Sequence, residues 1–179
     1  MKKRPHLPAP GHLHFVTVIT HQRIPLFRSA ALCQRFFATV KAVKARFPFE
    51  LYAYVLLPDH LHLLLRPNDG DISRLMQKIK SVAARTILGR LKGAQAQKTL
   101  LALRKVKAGR RAHSYEVFQD SFRDLELWSP WMIRQKIDYI HKNPVNEQVA
   151  ETVGSYPWSS WRAINEHSQE PLAVDPLPL

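Results

Sequence analysis

A chain of 179 residues is about one domain long and can bury a full hydrophobic core. Lys and Arg outnumber Asp and Glu by 27 to 14, a formal charge of +13 that points to a polyanionic partner. No apolar run approaches the roughly 18 residues of a membrane span, Met1-Lys2-Lys3-Arg4 has no apolar core behind it, and the lone Cys33 excludes an internal disulfide, so the reading is a cytoplasmic, nucleoid-associated protein with no membrane partner.

Residues 1–10 are basic and rich in Pro, a loose arm. His14 to Thr20 is β-branched and reads as the first strand, with His12 and His14 as edge or surface residues rather than ligands. His21 to Phe27 leaves that strand, and Pro25 blocks further pairing. From an N-cap at Ser29, Leu32, Phe36, Val40, Val43 and Phe47 recur at helical spacing, giving a first helix that ends near Pro48.

Phe49 to Leu57 is the second strand, Pro58-Asp59 a tight turn, and His60 to Arg66 the returning third strand. Alternation places His60 and His62 on one face, while Leu61, Leu63 and Leu65 point into a core on the other. Two imidazoles side by side on a sheet suit a divalent metal. They are equally compatible with two histidines on a solvent face.

Asp71 or Ser73 caps a second helix whose buried stripe is Leu75, Met76, Ile79, Val82, Ala83 and Thr86. Arg74, Lys78, Ser81 and Arg85 fall on the opposite arc. From Ile72 to Tyr115 there are twelve Lys or Arg and no Asp or Glu, whereas solvated helices ordinarily mix both signs. Residues 93–113 read as a basic insertion holding a short helix from Leu100 to Val106. Together with the arc on the second helix, Lys105, Lys107, Arg110 and Arg111 are candidate phosphate contacts.

Tyr115 to Phe122 has the alternating aromatic character of a fourth strand, completing a β-α-β-β-α-β order. Ser129-Pro130 opens a third helix, which Pro144 should stop near Asn143. Its buried stripe is Ile133, Ile137 and Ile140, and Tyr139 and Asn143 lie off that stripe, one turn apart. Ser155 to Trp161 packs back on the body. Residues 166–179, acidic and Pro-rich, read as a flexible tail that could cover the basic groove.

Three motifs stand in order: Leu57-Pro58-Asp59-His60-Leu61-His62, then Asp138-Tyr139-Ile140-His141-Lys142-Asn143-Pro144-Val145, then Tyr156-Pro157-Trp158-Ser159-Ser160. Through them the chain resembles the single-tyrosine HUH transposases, specifically the IS200-like, REP-associated tyrosine transposases, from about Gly11 to Trp161. The resemblance implies an α+β, ferredoxin-like (split β-α-β) antiparallel sheet with helices on one face and a C-terminal tyrosine-bearing helix. The catalytic domain would span 11–165.

It further implies that Tyr139 attacks a phosphodiester in single-stranded DNA beside a REP-like hairpin, forming a 5′-phosphotyrosine. His60, His62 and Asn143 would hold Mg²⁺ or Mn²⁺, Asn143 standing where the family often has Gln. Such enzymes act as a monomer or a homodimer. Two other classes fit the same residues. One is a non-catalytic hairpin DNA or RNA binding module, and the other is a metal nuclease that activates water and leaves Tyr139 structural.

Overall fold

The computed structural model describes residues 12–105 and 114–177. The basic arm and three of the candidate phosphate contacts, Lys107, Arg110 and Arg111, lie outside the described residues. In chain order the elements are β1 (Leu13–Ile19), α1 (Ala30–Arg46), β2 (Phe49–Leu56), β3 (His60–Pro67), α2 (Ile72–Gly93), α3 (Gln97–Ala102), β4 (Arg104–Lys105), β5 (Ser114–Tyr115), β6 (Arg123–Leu127), α4 (Pro130–Asn146) and α5 (Trp161–Asn165).

The main sheet has the order β2-β3-β1-β6, and every neighbouring pair is antiparallel. Strand β3 therefore sits between β1 and β2, which are joined through α1: a split β-α-β unit, as expected from the sequence. The register pairs Thr17 with His62 and Ile19 with His60, which fixes the face each histidine takes.

Each face of the sheet buries its own core. Val16, Val18, Leu61, Leu63 and Leu65 pack against Phe36, Val40, Met76 and Ile79 from α1 and α2. On the opposite face Phe15, Val55, Leu64 and Leu127 pack against Ile133 and Ile140 of α4. The tyrosine helix thus lies across the histidine face, and α1 and α2 share the other. Ser129 caps α4 by accepting from the Met132 N–H (3.2 Å), and Asp71 caps α2 by accepting from the Arg74 N–H (2.9 Å). Ser29 precedes α1 but makes no side-chain cap bond.

The fourth strand of the sheet is Arg123–Leu127, not Tyr115 to Phe122. Val117 and Phe118 are both buried, which alternation on a strand would not allow, and they belong to a loop joined to the end of β1 by the Thr20–Phe118 bridge and by Gln119 N–H donating to the Ile19 carbonyl (2.9 Å). Lys80 Nζ holds that loop through the carbonyls of Gln119 (2.6 Å) and Asp120 (2.9 Å). The true strand, Arg-Asp-Leu-Glu-Leu, is a charged edge strand, and charge at an edge hides the strand signal.

The insertion helix runs Gln97–Ala102 rather than from Leu100 to Val106, because Arg104 and Lys105 leave it to pair with Tyr115 and Ser114. Helix α4 continues through Pro144 to Asn146 instead of stopping near Asn143. Pro144 is buried, and its carbonyl accepts from the N–H groups of Val149 (2.9 Å) and Ala150 (3.2 Å), so packing and a satisfied C-terminus outweigh the local rule.

The tail is docked rather than flexible. Asp175 N–H donates to the Leu51 carbonyl (2.7 Å), its carboxylate accepts from Leu51 N–H (2.6 Å) and pairs with Lys44, and the Tyr54 hydroxyl donates to the Leu172 carbonyl (2.8 Å). Leu172 is itself buried in the core. The tail thus lies along β2 and α1 and does not cover the basic arc of α2. Leu172→Ala should lower unfolding stability by about 2–4 kcal/mol, read from urea midpoints, whereas an undocked tail would leave it unchanged.

Candidate functional site

Strand β3 delivers His60 and His62 to the α4 face with ring centroids 5.1 Å apart and planes nearly perpendicular (82°). Both are buried. Each ring is fixed through Nδ1. His60 donates to Asp59 Oδ1 (2.6 Å), and with its proton on Nδ1, His62 donates to Thr17 Oγ1 (2.9 Å). The Asp59 carboxylate sets the His60 tautomer and leaves a lone pair on its Nε2; the Thr17 hydroxyl orients the His62 ring and is compatible with the tautomer that leaves a lone pair on His62 Nε2, the way partners outside a metal shell orient ligating imidazoles.

His62 Nε2 is buried and has no hydrogen-bond partner among the described residues. Leaving such a group unmatched costs about 1–3 kcal/mol, so an orphan here calls for a ligand. Burial above all, then repulsion from His60 and Lys136, pushes the His62 pKa down to about 3. The ring is therefore neutral near pH 7, as a metal ligand must be.

Helix α4 brings the phenol to the same place. The Tyr139 ring stands 5.3 Å from His62 and 5.8 Å from Phe15, and Phe15 stacks on His62 at 5.2 Å. Tyr139 is 43% exposed, so it is not a core aromatic. Lys136, one turn earlier, lies over the rings of Phe15 (4.9 Å) and Tyr139 (5.5 Å). These groups line a cavity of about 430 Å³ that also receives Arg23, Arg123, Asp124 and Glu147.

Asn143 is 3% exposed, one turn beyond Tyr139, and its amide makes no hydrogen bond among the described residues. It does not form part of the cavity wall, which Glu147 reaches from the end of the same helix. Among the described residues no three His, Cys, Asp or Glu side chains form a closed ligand set. His60 and His62 thus present two imidazoles to the cavity, and the structure does not bring the Asn143 amide into its wall beside them. His12 and His14 are engaged elsewhere, with Glu126 and Asp124. His141 turns into the body, its Nε2 3.0 Å from Ser160 Oγ.

The basic arc lies on the other face of the sheet. Arg74 and Ser81 line a groove of about 810 Å³ between α2 and residues 115–122, with Tyr115 and Phe122 in its wall. Lys78 lies over the Phe47 ring (5.3 Å), and Arg85 is exposed. Lys105 is not free: it pairs with Glu116 (3.0 Å) and Asp120 (3.1 Å). Groove and cavity meet along the chain, because Phe122 lines the first and Arg123 the second.

Sequence reasoning missed Thr17, Arg23, Lys136 and Glu147. Lys136 could have been found, since it sits three residues before Tyr139 on one helical face. Thr17 and Arg23 could not, because they come from β1 and the turn after it, and only the sheet register brings them to the site.

An imidazole pair and a phenol converging on one charged cavity, on a split β-α-β sheet, define an α+β domain with a candidate site at the sheet face beneath α4. The chain belongs to the family described as IS200-like transposases, whose pattern matches residues 10–102, and it is therefore a transposase-type, DNA-processing protein. A Haemophilus influenzae protein named as a candidate REP-associated tyrosine transposase is 26% identical over 153 residues, covering 84% of this chain and 80% of that protein.

A solved structure described as the REP-associated tyrosine transposase bound to a REP hairpin matches with a TM-score of 0.68 at 21% identity, covering 100% of this chain and 95% of that one. A Deinococcus radiodurans protein assigned as a transposase matches with a TM-score of 0.50 at 18% identity, covering 78% and 95%. Both share the fold. Among the described residues no helix is long and apolar enough to cross a membrane.

Two buried histidines give the fold an acid liability. The unfolded chain takes up protons near the ordinary pKa of 6.5, while burial holds folded His62 at about 3 and folded His141 at about 4. Stability is therefore full above pH 6.5 and falls as the pH drops below it, each histidine contributing at most about 1.4 kcal/mol per pH unit. Metal-free urea midpoints at pH 7 and 5 should differ accordingly, and His141→Gln should flatten part of the slope. Equal midpoints would contradict this.

Proposed function

We propose that this protein is a single-strand DNA transesterase that cuts beside REP-like hairpins through a covalent tyrosine intermediate. The observation that carries the reading is the 5.3 Å contact between Tyr139 and His62, whose Nε2 is the one buried side-chain atom without a partner among the described residues. A tyrosine kept for packing alone would not be 43% exposed at the mouth of a basic cavity.

In the proposed reaction the Tyr139 oxygen attacks the scissile phosphorus. A new oxygen–phosphorus bond forms as the phenol gives up its proton, the bond to the 3′-oxygen breaks, and that oxygen takes up a proton and leaves as a 3′-hydroxyl. The energy of the broken bond stays in the 5′-phosphotyrosine, so a second hydroxyl can reverse the step and rejoin strands. His60 and His62 through Nε2, with Asn143, would hold Mg²⁺ or Mn²⁺, which when bound polarises a phosphate oxygen. Asp59 and Thr17 keep both rings aimed. Arg123 and Lys136 balance negative charge in the cavity.

The hairpin backbone would lie in the groove beside α2, against Arg74 and Ser81, with Lys78, Arg85, Lys107, Arg110 and Arg111 as further candidate contacts. Its single-stranded flank would then cross edge strand β6 between Phe122 and Arg123 to reach Tyr139. The tyrosine and both histidines meet within one chain, an arrangement that either a monomer or a homodimer could use.

Incubating the protein with hairpin oligonucleotides and Mn²⁺ should give a DNA-linked band on a denaturing gel, abolished by chelator and by Tyr139→Phe. The same variant should bind the hairpin within about threefold of the parent. Cutting without a linked band would mean that water is the nucleophile, and binding without cutting would leave only a DNA-gripping module. Thr17→Val should weaken Mn²⁺ binding about 10–100-fold by calorimetry, since it frees the ring that Thr17 orients.

A further inference from the structure

The reaction above gives no role to the turn after β1, although its backbone is strained. Gln22 (φ 49°) and Arg23 (φ 55°) are consecutive non-glycine residues in the left-handed region, which L-residues disfavour and which persists where surrounding bonds enforce it. Here they do. Arg23 N–H donates to the Thr20 carbonyl (3.1 Å), Ile24 N–H to that of His21 (3.0 Å), and His21 N–H to that of Val117 (2.9 Å). Fully buried Thr20 places its Oγ1 2.8 Å from the carbonyls of both Ile24 and Asp59, tying the turn to the residue before His60.

The consequence of this geometry is the position of one guanidinium. Arg23 Nη1 donates to Asp59 Oδ2 (2.9 Å) while Asp59 Oδ1 accepts from His60 Nδ1 (2.6 Å), so one carboxylate fixes Arg23 relative to a histidine of the site. Arg23 also lines the cavity shared by His60, His62 and Tyr139. A guanidinium carries five N–H donors in a planar fork, and the Asp59 bond uses one.

We propose that Arg23 contacts the scissile phosphodiester, its free N–H groups donating to the non-bridging oxygens as Tyr139 approaches the phosphorus. Lys136 is a point charge lying over two rings, whereas Arg23 presents a fork matched to phosphate and held still by Asp59. The proposal rests on the transesterase reading, so its test begins where that reading has already succeeded. If the parent protein forms no covalent adduct, the reaction class fails and not the role of Arg23.

The experiment compares single-turnover adduct formation by the full chain and by Arg23→Ala, Arg23→Lys and Arg23→Gly, on a hairpin oligonucleotide and on the same oligonucleotide with a methylphosphonate at the mapped cleavage linkage. Each variant should slow adduct formation about 10²–10³-fold on the normal linkage, the loss typical of removing one transition-state donor. Hairpin and Mn²⁺ affinity should stay within about threefold of the parent. On the neutral methylphosphonate the difference between Arg23→Ala and the parent should collapse.

Arg23→Gly, which suits a positive φ, should not lower the melting temperature, so its loss of rate cannot be assigned to misfolding. An undiminished penalty on the methylphosphonate, or a fall in Mn²⁺ affinity that matches the fall in rate, would overturn phosphate contact; the second result would make Arg23 a positioning residue acting through Asp59 and His60.

Discussion

The structure turns on how two imidazoles are held at one end so that they are free at the other. Asp59 and Thr17 bind the Nδ1 atoms of His60 and His62, and the cost of burying His62 Nε2 without a partner is accepted within an otherwise well-satisfied interior. A solvent-facing histidine pair would need none of this. Both Nδ1 partners are supplied by the sheet and its turn: Thr17 stands opposite His62 in the β1–β3 ladder, and Asp59 ends the turn that starts β3. The rigidity of the site is therefore the rigidity of the central strands, most of whose residues are buried.

That sheet also separates two tasks. One face buries α1 and α2 and turns the basic arc of α2 outward; the other carries the histidines beneath α4. The two surfaces meet at edge strand β6, where Phe122 belongs to the groove and Arg123 to the cavity. The opposite edge, β2, is covered by the tail and by residues 155–160, with Ser160 N–H donating to the Tyr54 carbonyl (2.9 Å) and Leu56 N–H to that of Trp158 (2.9 Å). The asymmetry leaves β6 as the open edge, and its charged residues fit that exposure.

Much of this was legible in the sequence because local rules and tertiary structure agreed. Alternation in His60-Leu61-His62-Leu63 placed the histidines on one face, and the helical spacing of Ile133, Ile137 and Ile140 placed Tyr139 off the buried stripe. Where the two disagreed, packing won: Pro144 lies inside a helix, Val117 and Phe118 are buried without forming a strand, and the Pro-rich tail docks because Leu172 and Asp175 find partners more than a hundred residues away. The residues that complete the site, Thr17, Asp59, Arg23 and Lys136, are ordinary in sequence. Helical spacing could have pointed to Lys136 and adjacency to Asp59, but only pairing between distant strands reveals the role of Thr17 and Arg23.

The central claim is that one ion and one phenol share a single cavity within one chain. Anomalous scattering from crystals grown with Mn²⁺ tests it most directly. The account predicts a peak bonded to Nε2 of both His60 and His62, facing the Tyr139 ring of the same chain. A peak elsewhere, or none at saturating Mn²⁺, would contradict it.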